Sequence, residues 1–106
     1  MLKKELQIFT LTMNEKPWWV YLVRCRDNSL YCGVTTDLAN RVKAHNTSKG
    51  GAKYTKSRQP VRLVWFNQMS SKSQAFKEEW KIKKMKKVDK EALVDSFNVD
   101  NHAIDD

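Results

Sequence analysis

Hydrophobic and polar positions alternate along two short runs, Trp18 to Cys25 and Leu30 to Val34, on either side of the polar stretch Arg26-Asp27-Asn28-Ser29. A two-residue period puts alternate side chains on opposite faces of a β-strand, and two such runs joined by a short polar link predict a β-hairpin. In the first strand Trp19, Tyr21, Val23 and Cys25 share a face; in the second Tyr31 and Gly33 do, with Leu30, Cys32 and Val34 opposite. If the two tyrosine faces coincide, both phenols point the same way. Gly33 is then expected to leave a gap beside Tyr31, room for the backbone of a ligand. Tyrosine is also an ordinary strand residue that needs one hydrogen-bond partner when buried, so the pair alone assigns no chemistry.

Downstream the period changes. Thr35-Thr36-Asp37 offers a helix N-cap, and Leu38, Ala39 and Val42 form the apolar side of a helix ending near Thr47-Ser48. Arg41 and His45, four residues apart, share one face of it. Ser48 to Pro60 reads as a basic loop with a glycine pair, and Val61 to Phe66 as a third strand with Pro60 at its start. Ser71-Lys72-Ser73-Gln74 fits a capping box that opens a second helix running to about Lys86. With Ala75 at zero and 100° per residue, Ile82 falls near −20°, Phe76 near 100° and Trp80 near 140°, one broad apolar stripe expected to face the core. Glu79 falls at about 40°, inside that stripe. A buried carboxylate requires a partner or a metal, either as an ion pair at the stripe's edge or as a functional ligand. Asp89 can cap a short third helix, with Val88 packing back on Leu93.

The resulting order is β-β-α-β-α-α, an α/β (α+β) domain with a small three-stranded antiparallel sheet flanked by helices. Its expected limits are residues 17–95, between an N-terminal tail or extension at 1–16 and an acidic C-terminal tail at 96–106 that contains His102. At 106 residues the chain suits one domain, and four Trp, four Phe and three Tyr suffice for a core, which argues against global disorder. No run approaches the length of a membrane span, and the first dozen residues lack a signal-peptide pattern. Cys25 and Cys32 both lie in the hairpin and read as small apolar strand residues of a reducing compartment, which points to the cytoplasm and away from zinc.

Charge narrows the partner. The net charge is +8, and residues 41 to 90 hold fifteen basic side chains against three acidic ones. Lys49, Lys53, Lys56 and Arg58 surround Tyr54 and two glycines, the mixture that tracks a phosphate backbone and stacks on a base, and Lys83 and Lys84 add cations on the second helix. Nucleic acid is the expected partner class, with no membrane and no small-molecule cofactor.

Trp19-Val20-Tyr21, then Tyr31-Cys32-Gly33, then Arg41 and His45 on one helix and Glu79 on a later one, resembles the GIY-YIG endonuclease family. Gly50-Gly51-Ala52-Lys53-Tyr54-Thr55, Pro60 to Val64 and Ala75 to Glu79 followed by Ile82-Lys83-Lys84 are similar to its small stand-alone bacterial members, the YhbQ/YazA type. The resemblance covers about Pro17 to Val94. It implies hydrolysis of phosphodiester bonds, in DNA first of all, with one divalent metal, Mg²⁺ or Mn²⁺, leaving 5′-phosphate and 3′-hydroxyl ends. It further implies that Tyr21 or Tyr31 accepts the proton of the attacking water while the other orients it. Arg41 would hold the scissile phosphate, His45 would assist, and Glu79 would ligate the metal.

Three positions depart from the family pattern: Trp19 stands for the first glycine, Val34 for a lysine of some relatives, and Glu91 for an asparagine of the excision-repair group. A non-catalytic nucleic-acid-binding module, or a subunit whose protein partner supplies target recognition, are the alternatives. Retention of all five core side chains favours the enzyme, because phosphate binding alone has no use for a carboxylate within an apolar stripe.

Overall fold

A computed structural model describes residues 16–47 and 50–105, with backbone alone over 98–105. The hairpin comprises β1, Trp18–Arg24, and β2, Leu30–Thr35. Helix α1, Leu38–His45, and the single turn α2, Lys53–Lys56, precede β3, Arg62–Met69, and helices α3, Lys72–Lys84, and α4, Lys87–Asp105, close the chain. The sheet has the order β2-β1-β3 with both pairs antiparallel, so β1 is central and β2 is an edge. This is the α+β architecture expected from the sequence.

The two-residue period of β1 sorts its side chains onto two cores. Val20 and Leu22, with Cys32 and Trp65, meet Ala75 and Ile82 of α3 and Val94 of α4 on one face. Tyr21, Val23 and Cys25, with Val61, meet Leu38 and Val42 of α1 on the other. A register shift between Leu22 and Val23 along the β1–β3 ladder puts Trp65 and Leu63 on opposite sides of the sheet. The caps expected for α1 and α3 form: within the Thr35-Thr36-Asp37 triplet it is Asp37 that accepts from the Asn40 N–H, and Ser71 accepts from the Gln74 N–H, each at 3.1 Å.

Four features differ from the sequence expectation. The segment read as a tail continues as helix, because Phe97 packs into the α3/α4 core and meets Phe66 edge-on with ring centroids 4.9 Å apart. Phe76 and Trp80 are 46% and 61% exposed, so only the Ala75/Ile82 half of the α3 stripe is covered. Val88 is 69% exposed and Asp89 lies inside the first turn of α4, which begins at Lys87, so neither the staple to Leu93 nor the Asp89 cap forms. The basic loop contains α2, and its far end is clamped to α1: Asn46 exchanges hydrogen bonds with the Val61 backbone at 2.7 and 2.9 Å, while Gln59 Nε2 donates to the carbonyls of His45 and Thr47 at 2.9 Å. Residues 1–15 lie outside the described residues.

At this same end of the sheet, where Arg24 pairs with Arg62 across the β1–β3 ladder, Arg24 donates two hydrogen bonds to Glu91, at 2.6 and 2.8 Å, tying β1 to α4. Glu91 thus has a structural partner. Among the described residues no helix is long and apolar enough to cross a membrane.

Candidate active site

The hairpin register places Tyr21 directly across from Gly33 and Val23 across from Tyr31, so both tyrosines rise from the same face, one step apart. The space above Gly33 is not left for a ligand, as the strand pattern suggested. The Tyr21 ring lies in it: a Cβ on Gly33 would sit 2.5 Å from Tyr21 Cζ. The missing side chain therefore makes room for a phenol belonging to the protein itself.

The Tyr21 hydroxyl is 2.7 Å from His45 Nε2, and both residues are buried. His45 occupies the last turn of α1, and the loop after it approaches closely because of Gly51, which has φ +80° and where a Cβ would lie 2.7 Å from His45 Cα. That approach delivers Thr55, fully buried, whose Oγ1 is 2.8 Å from His45 Nδ1 and 3.0 Å from the Ala52 carbonyl. In the Nδ1–H tautomer of His45 the Thr55 hydroxyl donates to the Ala52 carbonyl and its oxygen accepts from Nδ1–H. Nε2 is left bare to accept from the Tyr21 hydroxyl. The Ala52 N–H also approaches Nδ1, at 3.4 Å, too long to compete with these two contacts.

Burial shapes the protonation of this chain. It pushes the Tyr21 phenol up to about 12, against the opposing effect of the neighbouring Arg41 guanidinium. Burial, and then the Arg41 charge, pull His45 down to about 4. At neutral pH the phenol keeps its proton and the imidazole is an uncharged acceptor beside it.

Tyr31, half-buried, packs edge-on to His45 with centroids 5.3 Å apart and stacks on Tyr54 at 5.9 Å. Arg58 lies over the Tyr54 ring, 3.9 Å from its centroid, and is also paired with Asp27 at 3.0 Å. Lys83 of α3 reaches over the edge strand to within 5.7 Å of the Tyr31 ring centroid and pairs with Glu79 at 3.2 Å. Glu79 sits at the rim of the covered half of α3, its side chain 17% exposed.

Among the described residues no three His, Cys, Asp or Glu side chains gather, and Glu79 is the carboxylate beside Tyr31 and Lys83 that could hold a metal. A single hard oxygen donor fits an ion such as Mg²⁺, which uses one or two carboxylates and fills its remaining positions with waters and substrate phosphate oxygens. It does not fit a structural zinc site.

The fold thus brings Tyr21, Tyr31, Arg41, His45 and Gly33 together around one sheet face, with Glu79 and Lys83 arriving over the β2 edge. Tyr54 joins them through Tyr31. Arg58 is engaged by Asp27 and Tyr54, whereas Lys53 and Lys56 are exposed on α2. Lys84 lies against Trp80, 3.7 Å from its ring centroid, and Lys49 lies outside the described residues. Thr55 was not singled out by the sequence. Its signal was present in its place three residues after Ala52 on a turn, a spacing from which a hydroxyl can bond back to the backbone.

Residues 17–92 match the GIY-YIG catalytic domain. The UPF0213 protein SH2523 of Staphylococcus haemolyticus is 47% identical over 77 residues, which cover 73% of this chain and 93% of that protein. The UPF0213 protein YazA of Bacillus subtilis is 43% identical over 84 residues, covering 79% and 84%. A solution NMR structure of the UPF0213 protein BH0048 from Bacillus halodurans is 42% identical and covers 74% of this chain and 83% of that one, with a TM-score of 0.49. The motif order met in the sequence agrees with the family match and with these two relatives, and the chain belongs to the GIY-YIG family, a superfamily of nucleases that act on nucleic acid and generally use divalent metals, among its small UPF0213 members.

Proposed function

We propose that the protein is a divalent-metal-dependent endonuclease that hydrolyses phosphodiester bonds in DNA and leaves 5′-phosphate and 3′-hydroxyl ends, with a role in DNA repair or recombination. The observation that carries this reading is the Tyr21–His45 contact at 2.7 Å with Nδ1 already anchored on Thr55. It gives a phenol a proton acceptor held in one tautomer, which phosphate binding alone does not need.

In this mechanism the attacking water gives its proton to Tyr21 Oη as that phenol passes its own proton to His45 Nε2. The two transfers together leave Tyr21 neutral, so the high pKa of the phenol never has to be overcome by free ionisation. Tyr31 orients the water from the neighbouring ladder position. Arg41 binds the scissile phosphate in bidentate fashion and offsets charge that develops on its oxygens. The imidazolium formed at His45 is stabilised by Thr55. Glu79 would hold the divalent cation, which when bound supplies positive charge to the phosphate and the departing 3′ oxygen. The bond from phosphorus to that oxygen breaks, and the oxygen takes up a proton from solvent.

The test is cleavage of end-labelled single-stranded, duplex and branched DNA with Mg²⁺ or Mn²⁺, beside Tyr21→Phe and Glu79→Gln. Cutting that requires metal and falls at least about a hundredfold in both variants supports the roles assigned here. Equal binding with no cutting by any of the proteins would leave a non-catalytic binding module.

A further inference from the structure

The outer face of α3 is not used by the chemistry above. Around this helix, moving away from Ala75 past Glu79 at about 40° and Lys83 at about 80°, come Phe76 at about 100°, Trp80 at about 140°, Lys84 at about 180°, Lys77 at about 200° and Lys81 at about 240°. Phe76 and Trp80 are 46% and 61% exposed, one helical turn apart. Phe76 leans on Trp18 with one side, ring centroids 6.1 Å apart, and Lys84 rests on Trp80 at 3.7 Å. No acidic side chain lies in the arc from Lys83 to Lys81.

Two exposed aromatic rings in a field of cations need an occupant. A second copy of this chain is disfavoured, because a two-fold contact would press these lysines against their own counterparts. An anionic lipid surface calls for a wide apolar face, and here two rings are bordered by charge on three sides. A single nucleic-acid strand matches both features: its bases stack on aromatic faces and its phosphates pair with lysines. The face is also continuous with the site, since Lys83 lies over the Tyr31 ring on one side and is three residues, one turn, from Trp80 on the other.

We infer that the Phe76/Trp80 face of α3 is a stacking platform for an unpaired strand, which leads the nucleotides flanking the scissile bond away from Glu79 along the lysines. This rests on the nucleic-acid reading of the active site but adds a second binding surface and a preference for single-stranded or branched substrates over uniform duplex.

Binding of a fluorescently labelled 20-nucleotide single strand and of the matching duplex to the full-length protein, followed by anisotropy without divalent ions, tests it. Trp80 is exposed, so Trp80→Ala is expected to fold. It should weaken single-strand binding about tenfold or more while duplex binding changes less than about threefold. Trp80→Phe should recover most of the loss, and Lys84→Gln should lower the salt dependence of strand binding by about 0.7 in log–log slope. Wild-type affinity in Trp80→Ala and Phe76→Ala would overturn the platform. So would a change of sedimentation from dimer to monomer, or a loss confined to anionic phosphatidylserine vesicles. Because no cutting is measured, a platform that passes in a protein that never cleaves would leave this inference standing and remove the nuclease reading alone.

Discussion

Tyr21 and Gly33 face each other across the β1–β2 ladder, and the phenol fills the volume that any side chain at position 33 would need. The backbone of an edge strand thereby sets where the hydroxyl of a central-strand tyrosine meets His45. Gly33→Ala should displace the Tyr21 ring, lengthen its bond to His45 and cost about 1–3 kcal/mol of stability from overpacking. The urea midpoint should fall modestly and cleavage should fall about a hundredfold. Wild-type cutting in Gly33→Ala would show that the Tyr21 position is not needed for the reaction.

His45 predicts how stability depends on pH. Its folded value of about 4 lies below the ordinary 6.5, so between these limits the unfolded chain takes up a proton that the folded chain refuses. The contribution is complete above about pH 6.5 and is lost as the pH falls towards 4. This amounts to at most roughly 3 kcal/mol. Urea midpoints measured from pH 7 to 4 should decline in the wild type and decline less in His45→Gln. Parallel curves for the two proteins would show that His45 titrates normally.

Thr55 fixes the tautomer on which proton transfer depends. Thr55→Val keeps the shape but leaves Nδ1–H without its acceptor, at a cost of about 1–3 kcal/mol. The imidazole is then free to place its proton on Nε2, where it blocks acceptance from Tyr21. Cleavage should fall about tenfold. The ¹⁵N shifts of the His45 ring should move from the Nδ1–H pattern towards the Nε2–H pattern, and Thr55→Ser should restore both. A stability loss with unmoved ring shifts would reduce Thr55 to packing.

The hairpin and the caps at Asp37 and Ser71 were legible in the sequence because each depends on local period or spacing, whereas Tyr21, Tyr31, Arg41, His45 and Glu79 were gathered into one candidate site by the resemblance to the GIY-YIG family. What was not legible depends on area and on distant neighbours. The periodicity of α3 marks Phe76 and Trp80 as apolar, but three strands spaced about 4.8 Å apart offer too narrow a face to cover the whole stripe once α4 shares it. The extension of α4 hangs on Phe97 meeting Phe66 of β3. The ring lying over Gly33 comes from the neighbouring strand, so a single-strand pattern could only report an absence there.

Lys83 and Glu79 predict the metal dependence. Their ion pair, 3.2 Å long with side chains 49% and 17% exposed, places an ammonium on the oxygen that a cation would occupy. The two compete. An exposed pair one helical turn apart is worth about 0.3–0.5 kcal/mol, and removing a unit of positive charge nearby adds to this, so Lys83→Met should lower the Mn²⁺ concentration needed for half-maximal single-turnover cleavage by about two- to fivefold. The same change removes a cation beside Tyr31 and should weaken DNA binding, so the rates are compared at saturating DNA. Glu79→Gln should raise the Mn²⁺ requirement beyond saturation. If Lys83→Met left the Mn²⁺ midpoint unchanged, or if Glu79→Gln retained it, the cation would be held by groups other than this carboxylate.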